Sequence, residues 1–373
     1  MRASRRLLAL PVVAAAAVLV LSCAPSAPSS SSPSEPGASA PGATAPGASA
    51  PSSPTAAPDA AAALLEEARD PAACAVTFAG EGIALDPVLA TEGAHVAELP
   101  LPEREGAVFA GWYLDAEAAA ALDVAQRVNI ADVVSCDEDR RLPLHAAWTT
   151  PEETAAADVG VPILMYHQFT ADPAGVDDPL RLNWAYAGDF EQHMAYLADE
   201  GYYLPSWREL SAFIDGRLRL PERSIIVTDD DAHASWFDLA VPVLDEHGVL
   251  ATSFVITKWR SEPTPSPYVL QRSHTHDMHD PGADGRGRMV NWTPEEIAAD
   301  LRTSADILGA AEVVAYPFGH YDERSKQGVA DAGFEMAVTI EPGFVRPGAD
   351  KLALPRVRID YGMGLEAFID AVS

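Results

Sequence analysis

Between Pro162 and Ile340, short apolar runs alternate with segments whose apolar residues recur at helical spacing. That alternation restricts the fold to a parallel sheet or barrel with helices outside it. The strand-like runs are Pro162–His167, Ser224–Thr228, Ala251–Thr257, Val313–Phe318 and Met336–Ile340. Ser224–Thr228 (SIIVT) is a continuous β-branched run, as expected of a strand covered on both faces. Between the runs, Asp189 is expected to cap a helix that places Phe190, Met194, Leu197 and Ala198 on one face. Ser206 and Glu209 form a capping box for a second helix, which stops at Gly216. Leu239–His247 reads as a helix ending at Gly248. Thr293, Pro294 and Glu296 open a further helix, whose Ile297, Leu301 and Leu308 lead to Gly309. In barrels, chemistry sits at the carboxyl ends of the strands, and the unusual residues of this chain cluster at those ends.

Asp229, Asp230 and Asp231 directly follow the apolar run. Three adjacent carboxylates repel at a costly place, and a bound cation would relieve that cost; a solvated acidic loop is the plainer alternative. His274, His276 and His279 lie close together in RSHTHDMHD. Imidazole and carboxylate together suit Zn²⁺ in an open site.

From Val161 to about Asp360 the chain resembles the polysaccharide deacetylases of carbohydrate esterase family four. VPILMYHQF resembles the first strand of that family, and SIIVTDDDAHAS aligns without gaps on its Thr-Phe-Asp-Asp-Gly block. Thr228 keeps the Thr, Asp229 replaces the Phe, and Ala232 replaces the Gly. The resemblance implies an α/β fold, a distorted (β/α) barrel, with Asp230 as general base and Asp231 as metal ligand. SHTHDMH is similar to the metal motif, which usually places two His four apart. Four past His274 stands Met278, so the second ligand is expected at His279, with His276 as its competitor. AYPFG matches the third motif and implies an oxyanion contact from the backbone N–H of Phe318. The Arg that often precedes that motif is missing, and LALPRVRID lacks the late general-acid His. His167 and His320 are the candidate substitutes, each with a structural role as its alternative. Asp229 adds a like charge beside Asp230; facing the site it raises the Asp230 pKa unless a metal compensates, and pointed away by the strand pleat it does nothing. Ala232 needs a negative φ or bears strain of about 1 kcal/mol.

Four segments are expected along the chain. Arg2, Arg5 and Arg6 precede an apolar run from Leu7 to Leu21, which is too short to span a bilayer. Residues 1–22 therefore read as a secretory signal. LVLSC resembles a bacterial lipoprotein processing box, which implies lipid on Cys23. Residues 23–58 are almost only Ala, Pro, Ser, Gly and Thr, a composition that buries no core and serves as a tether. Residues 59–150 form a small β-rich domain. Its Val76-Thr77-Phe78, Gly106, Phe109–Tyr113 block and closing Leu144–Trp148 resemble the internalin B-repeat (Listeria–Bacteroides repeat), with a departure over about Asp115–Arg141. Trp112 and Trp148 read as core rather than ligand platform. Cys74 and Cys136 are expected to form a disulfide if exported, two buried thiols being the alternative. Residues 158–373 carry the catalytic domain.

With 25 basic against 55 acidic residues, the net charge is −30. That excess argues against a nucleic-acid partner, which requires a basic patch. The resemblance implies a metal-dependent de-N-acetylase that uses Zn²⁺ or another divalent transition metal. It would act on amino sugars of peptidoglycan or an extracellular polysaccharide, lipid-anchored at the outer face of the cytoplasmic membrane. The alternative is a surface lipoprotein with a degenerate site, acting by carbohydrate binding or adhesion.

Overall fold

A computed structural model describes residues 59–373. The signal segment 1–22, Cys23 and the tether 23–58 lie outside the described residues.

Helix α1 (Ala60–Ala68) precedes a four-stranded sheet of β1 (Ala73–Ala79), β2 (Val88–Thr91), β3 (Val108–Tyr113) and β4 (Arg141–Thr149). The spatial order is β2-β1-β4-β3; β1 and β4 run parallel and the outer pairs antiparallel. Helix α2 (Ala116–Ala121), capped by Asp115, lies in the stretch that departs from the repeat pattern. Cys136, in the same stretch, pairs with Cys74 of β1 in a disulfide, Cα–Cα 6.3 Å. A cross-link closing a loop of this size stabilises by about 4 kcal/mol in the chain-entropy view. Trp112 is buried, and its indole N–H donates to the Pro100 carbonyl at 2.8 Å.

Helix α3 (Pro151–Ala156) leads into the barrel. Strand β5 (Val161–Tyr166) is followed by a small pair, β6 (Gln168–Thr170) and β7 (Trp184–Tyr186). Then come helices α4 (Ala187–Asp199) and α5 (Trp207–Ile214), strand β8 (Ile226–Asp230), helix α6 (Val241–His247), and strands β9 (Ala251–Val255) and β10 (Val269–Ser273). Helix α7 (Pro294–Leu308), strand β11 (Val313–Ala315), helix α8 (Glu323–Asp331), strands β12 (Met336–Pro342), β13 (Phe344–Val345) and β14 (Leu354–Arg358), and helix α9 (Leu365–Val372) complete it. Strands β5, β8, β9, β10, β11, β12 and β14 pair in parallel in that order. Pairing of β14 and β8 with β5 closes the ring into a seven-stranded barrel. The sheet and barrel share one apolar cluster, in which Phe109 and Trp112 join Trp207, Leu218, Ile163 and Met336.

The local signals hold with some differences. Ser206 and Thr293 make complete capping boxes, and Gly248 and Gly309 close their helices in the left-handed region. Helix α4 begins two residues before Asp189, which stands in its first turn, where a carboxylate favours the helix dipole, and not at the cap. Its buried face carries His193, while Ala198 is exposed. Strand β11 stops at Ala315 because Pro317 has no N–H to pair and Phe318 is left-handed (φ 59°). Strand β8 is shifted, so Asp229 and Asp230 lie within it.

His193 is stacked on Phe368 with ring centroids 4.0 Å apart, and its Nδ1 lies 3.0 Å from the Tyr166 hydroxyl. Burial drives its pKa from 6.5 down to about 4. Over that window the unfolded chain binds a proton that the folded chain refuses, so acidification destabilises the fold. In excess chelator, His193→Gln is expected to remove about 3 kcal/mol of the stability lost between those pH values. Urea unfolding of both proteins at each pH measures it; parallel curves exclude this origin.

Candidate active site

The strand pleat sorts the three aspartates. Thr228 and Asp230 point into the barrel, where both meet Arg356 from β14. The guanidinium, 1% exposed, donates from Nη1 and Nη2 to the two Asp230 carboxylate oxygens, both at 2.7 Å. Its Nε–H donates to the Thr339 carbonyl at 2.7 Å and Nη1 to Thr228 Oγ1 at 3.2 Å. Burial raises the Asp230 pKa, but the Arg356 charge and hydrogen bonds, with His274 and His167 nearby, bring it below the ordinary carboxylate value. Asp230 is therefore an ionised acceptor in a nearly dry setting.

Asp229 points the opposite way and is fully buried. Ser253 Oγ donates to its Oδ2 at 3.4 Å, and Oδ1 has no partner. Burial first, then the charges of Asp230 and Asp231, push its pKa well above the usual value. Of the two outcomes that hang on the pleat, the second applies: Asp229 turns away from the site, and Arg356 dominates the Asp230 pKa.

Asp231 and Ala232 have φ of 75° and 49°, which turns the chain sharply after β8. Ala232 therefore carries the strain that a Gly would avoid. The turn brings Asp231 Oδ1 to 3.4 Å from His274 Nε2 and 3.1 Å from His279 Nε2. His274 sits just past β10, and its Nδ1 lies 2.9 Å from the Ala315 carbonyl. A carbonyl only accepts, so Nδ1 carries the proton and Nε2 faces Asp231. His279 reaches the same point because Thr275 (φ 71°) reverses the loop and Met278 plugs the apolar cluster between α7 and α8. That anchoring of Met278 explains the five-residue spacing. His276 turns elsewhere: its Nδ1 lies 3.1 Å from Thr257 Oγ1, and its backbone N–H donates to Asp300 Oδ1 at 2.8 Å.

Two imidazole nitrogens and a buried carboxylate oxygen that accepts no hydrogen bond converge on one point. Neutral imidazoles would present lone pairs to a carboxylate, an arrangement that a cation relieves, so the donor set fits a divalent transition metal. Gln168 Nε2 donates weakly to the other Asp231 oxygen at 3.4 Å. Burial lowers the His274 pKa, but Asp231 and Asp230 raise it more, to a net value above the ordinary one.

His167 follows β5, and its Nε2 lies 3.9 Å from Asp230 Oδ2. His320 Nδ1 instead accepts the Gly287 N–H at 3.0 Å and so serves the neighbouring loop. Phe318 lies beside the site, its ring 4.3 Å from that of His279.

Residues 217–337 match the family model described as polysaccharide deacetylase, and the chain carries a domain of that kind. The chain is 27% identical to "Putative polysaccharide deacetylase YxkH" of Bacillus subtilis over 234 residues, 60% of this chain and 78% of that one. It is 24% identical over 162 residues to the poly-β-1,6-N-acetyl-D-glucosamine N-deacetylase of Staphylococcus aureus, covering 38% of this chain and 56% of the relative. Among solved structures, the Streptococcus pyogenes deacetylase PplD in complex with acetate superposes with a TM-score of 0.48 at 23% identity, over 58% of this chain and 99% of that one. A polysaccharide deacetylase from Bacillus cereus gives 0.49 at 22%, over 64% and 75%.

Asp231→Asn and His279→Ala are each expected to weaken zinc binding by more than about tenfold, and His276→Ala to leave it intact. Because protons compete for His274, affinity should fall from about pH 8 to about pH 6. Chelator-dye competition reads both; equal losses for His276→Ala and His279→Ala would contradict the assignment.

Proposed function

We propose that the chain is a metal-dependent deacetylase that removes acetyl groups from N-acetylated amino sugars of peptidoglycan or an extracellular polysaccharide. One observation carries the reading: a three-ligand donor set lies beside an ionised aspartate clamped by a buried arginine. Asp231, His274 and His279 would hold the cation, Zn²⁺ or a similar ion. Such a cation polarises an amide carbonyl and lowers the pKa of water.

Asp230 accepts the proton of the attacking water; Arg356 keeps it ionised and aimed. The Phe318 N–H, just after β11, would donate to the oxyanion. Amide cleavage also needs a proton on the leaving nitrogen. His167 is the imidazole beside Asp230 and takes the acid role. Burial lowers its pKa, and the charges of Asp230 and Asp231 offset that only in part. Export, lipid attachment at Cys23, and a tether spanning about 30–35 Å as a coil or about 110 Å as a polyproline rod complete the proposal. They would hold the enzyme outside the membrane, within reach of the wall.

A degenerate carbohydrate-binding protein was favoured by Asp229, Ala232 and the absent acid motif. Asp229 turned from the site, and His167 beside Asp230, support the hydrolase instead.

Acetate release from N-acetylglucosamine oligomers should stop on chelation and return with zinc. Asp230→Asn should cost roughly 10²–10⁴ in kcat with zinc content unchanged. His167→Gln should lose far more on the amide than on p-nitrophenyl acetate, whose leaving group needs no proton. Wild-type turnover by Asp230→Asn would refute the base, and equal losses on both substrates would refute the acid.

A further inference from the structure

Trp259 is 62% exposed, although a Trp of this size normally finds cover. Its position is held closely. It follows β9 in a turn where its N–H donates to the Ile256 carbonyl at 3.0 Å. The two residues before it are hydrogen-bonded to the histidine loop: the Thr257 N–H donates to the Thr275 carbonyl at 3.1 Å, and the Lys258 N–H to the His276 carbonyl at 3.3 Å. The backbone that carries Trp259 is therefore tied to the histidine loop, and the indole ring centroid lies 6.1 Å from that of His279.

The exposed apolar surface continues past His279. Phe318 (43% exposed) packs on His279, and Ile340 (46% exposed) lies against Gly319, where a Cβ would fall 2.4 Å from its side chain. Of the cations flanking Trp259, Lys258 pairs with Asp277 and Asp280, and the Arg260 guanidinium lies over the Phe237 ring. An exposed aromatic surface thus borders a strongly polar centre. Exposed apolar patches next to convergent polar groups mark ligand contact. A pyranose ring has the matching duality, with C–H groups on its face and hydroxyls at its edge.

We propose that Trp259 is a specificity-determining residue that stacks on a pyranose ring of the polymer substrate, with Phe318 and Ile340 extending the apolar rim. The proposal rests on the deacetylase reading. It implies that the site engages an oligosaccharide rather than an isolated acetylated sugar.

The test pairs Trp259→Ala and Trp259→Phe with wild type, using an N-acetylglucosamine tetramer as probe. Acetate release should show kcat/KM of Trp259→Ala reduced about tenfold or more, carried by KM, with Trp259→Phe retaining most of it. Zinc content and melting temperature serve as checks on folding. Tetramer binding to the Asp230→Asn background, followed by calorimetry, should be lost on adding Trp259→Ala. Equal tetramer affinity with and without Trp259, or a loss carried by kcat alone, overturns the platform. Trp259-dependent binding with no acetate release by wild type would instead keep the platform and overturn the deacetylase reading. Absence of any tetramer binding overturns the platform.

Discussion

The buried Arg356–Asp230 pair organises the interior of the barrel. Removing two charges from water is costly, and the cost is met only because Arg356 spends its remaining donors on Thr339 and Thr228. Loss of the guanidinium would strand a carboxylate inside the barrel, a change that typically destabilises by about 3–5 kcal/mol. The pair also joins three strands, since Arg356 is on β14, Thr339 on β12 and Asp230 on β8. The group that keeps the proposed base ionised therefore also ties together strands distant in sequence. Stability and chemistry share one contact.

Around that contact the backbone departs from its comfortable regions. Of the eight non-glycine residues at positive φ among the described residues, four border the site: Asp231, Ala232, Thr275 and Phe318. Such conformations cost on the order of 1–3 kcal/mol each and persist where surrounding structure dictates them. The dictating contacts are visible: Met278 is buried in the α7–α8 cluster, and Asp300 accepts N–H groups from both His276 and Asp277. The loop between them has little freedom left, and it delivers His279 to Asp231.

Much of the barrel was legible in the sequence, because β-branched runs and capping boxes are local signals. Strands β10 and β14 were not. VLQRS carries little apolar pattern, and LPRVR reads as a polar stretch until its Arg is seen to point inward. Arg356 was missed for the same reason: an arginine in a strand looks solvent-exposed unless its carboxylate partner is known, and that partner lies 126 residues away. The reading of the aspartates and histidines used spacing and resemblance, and the structure brings Asp231, His274 and His279 together. The competition between His276 and His279 could not be decided from spacing. It turns on Met278, whose burial is a tertiary fact. The fate of Asp229 likewise depended on pleat direction, which a one-residue shift of the strand would reverse.

Closure of the ring has a consequence for the order of assembly. The barrel is sealed by β14 docking between β12 and β5. Arg356 arrives with that strand, so any folding intermediate in which β14 is undocked leaves Asp230 without its counter-charge. The clamp therefore forms together with the ring and not ahead of it.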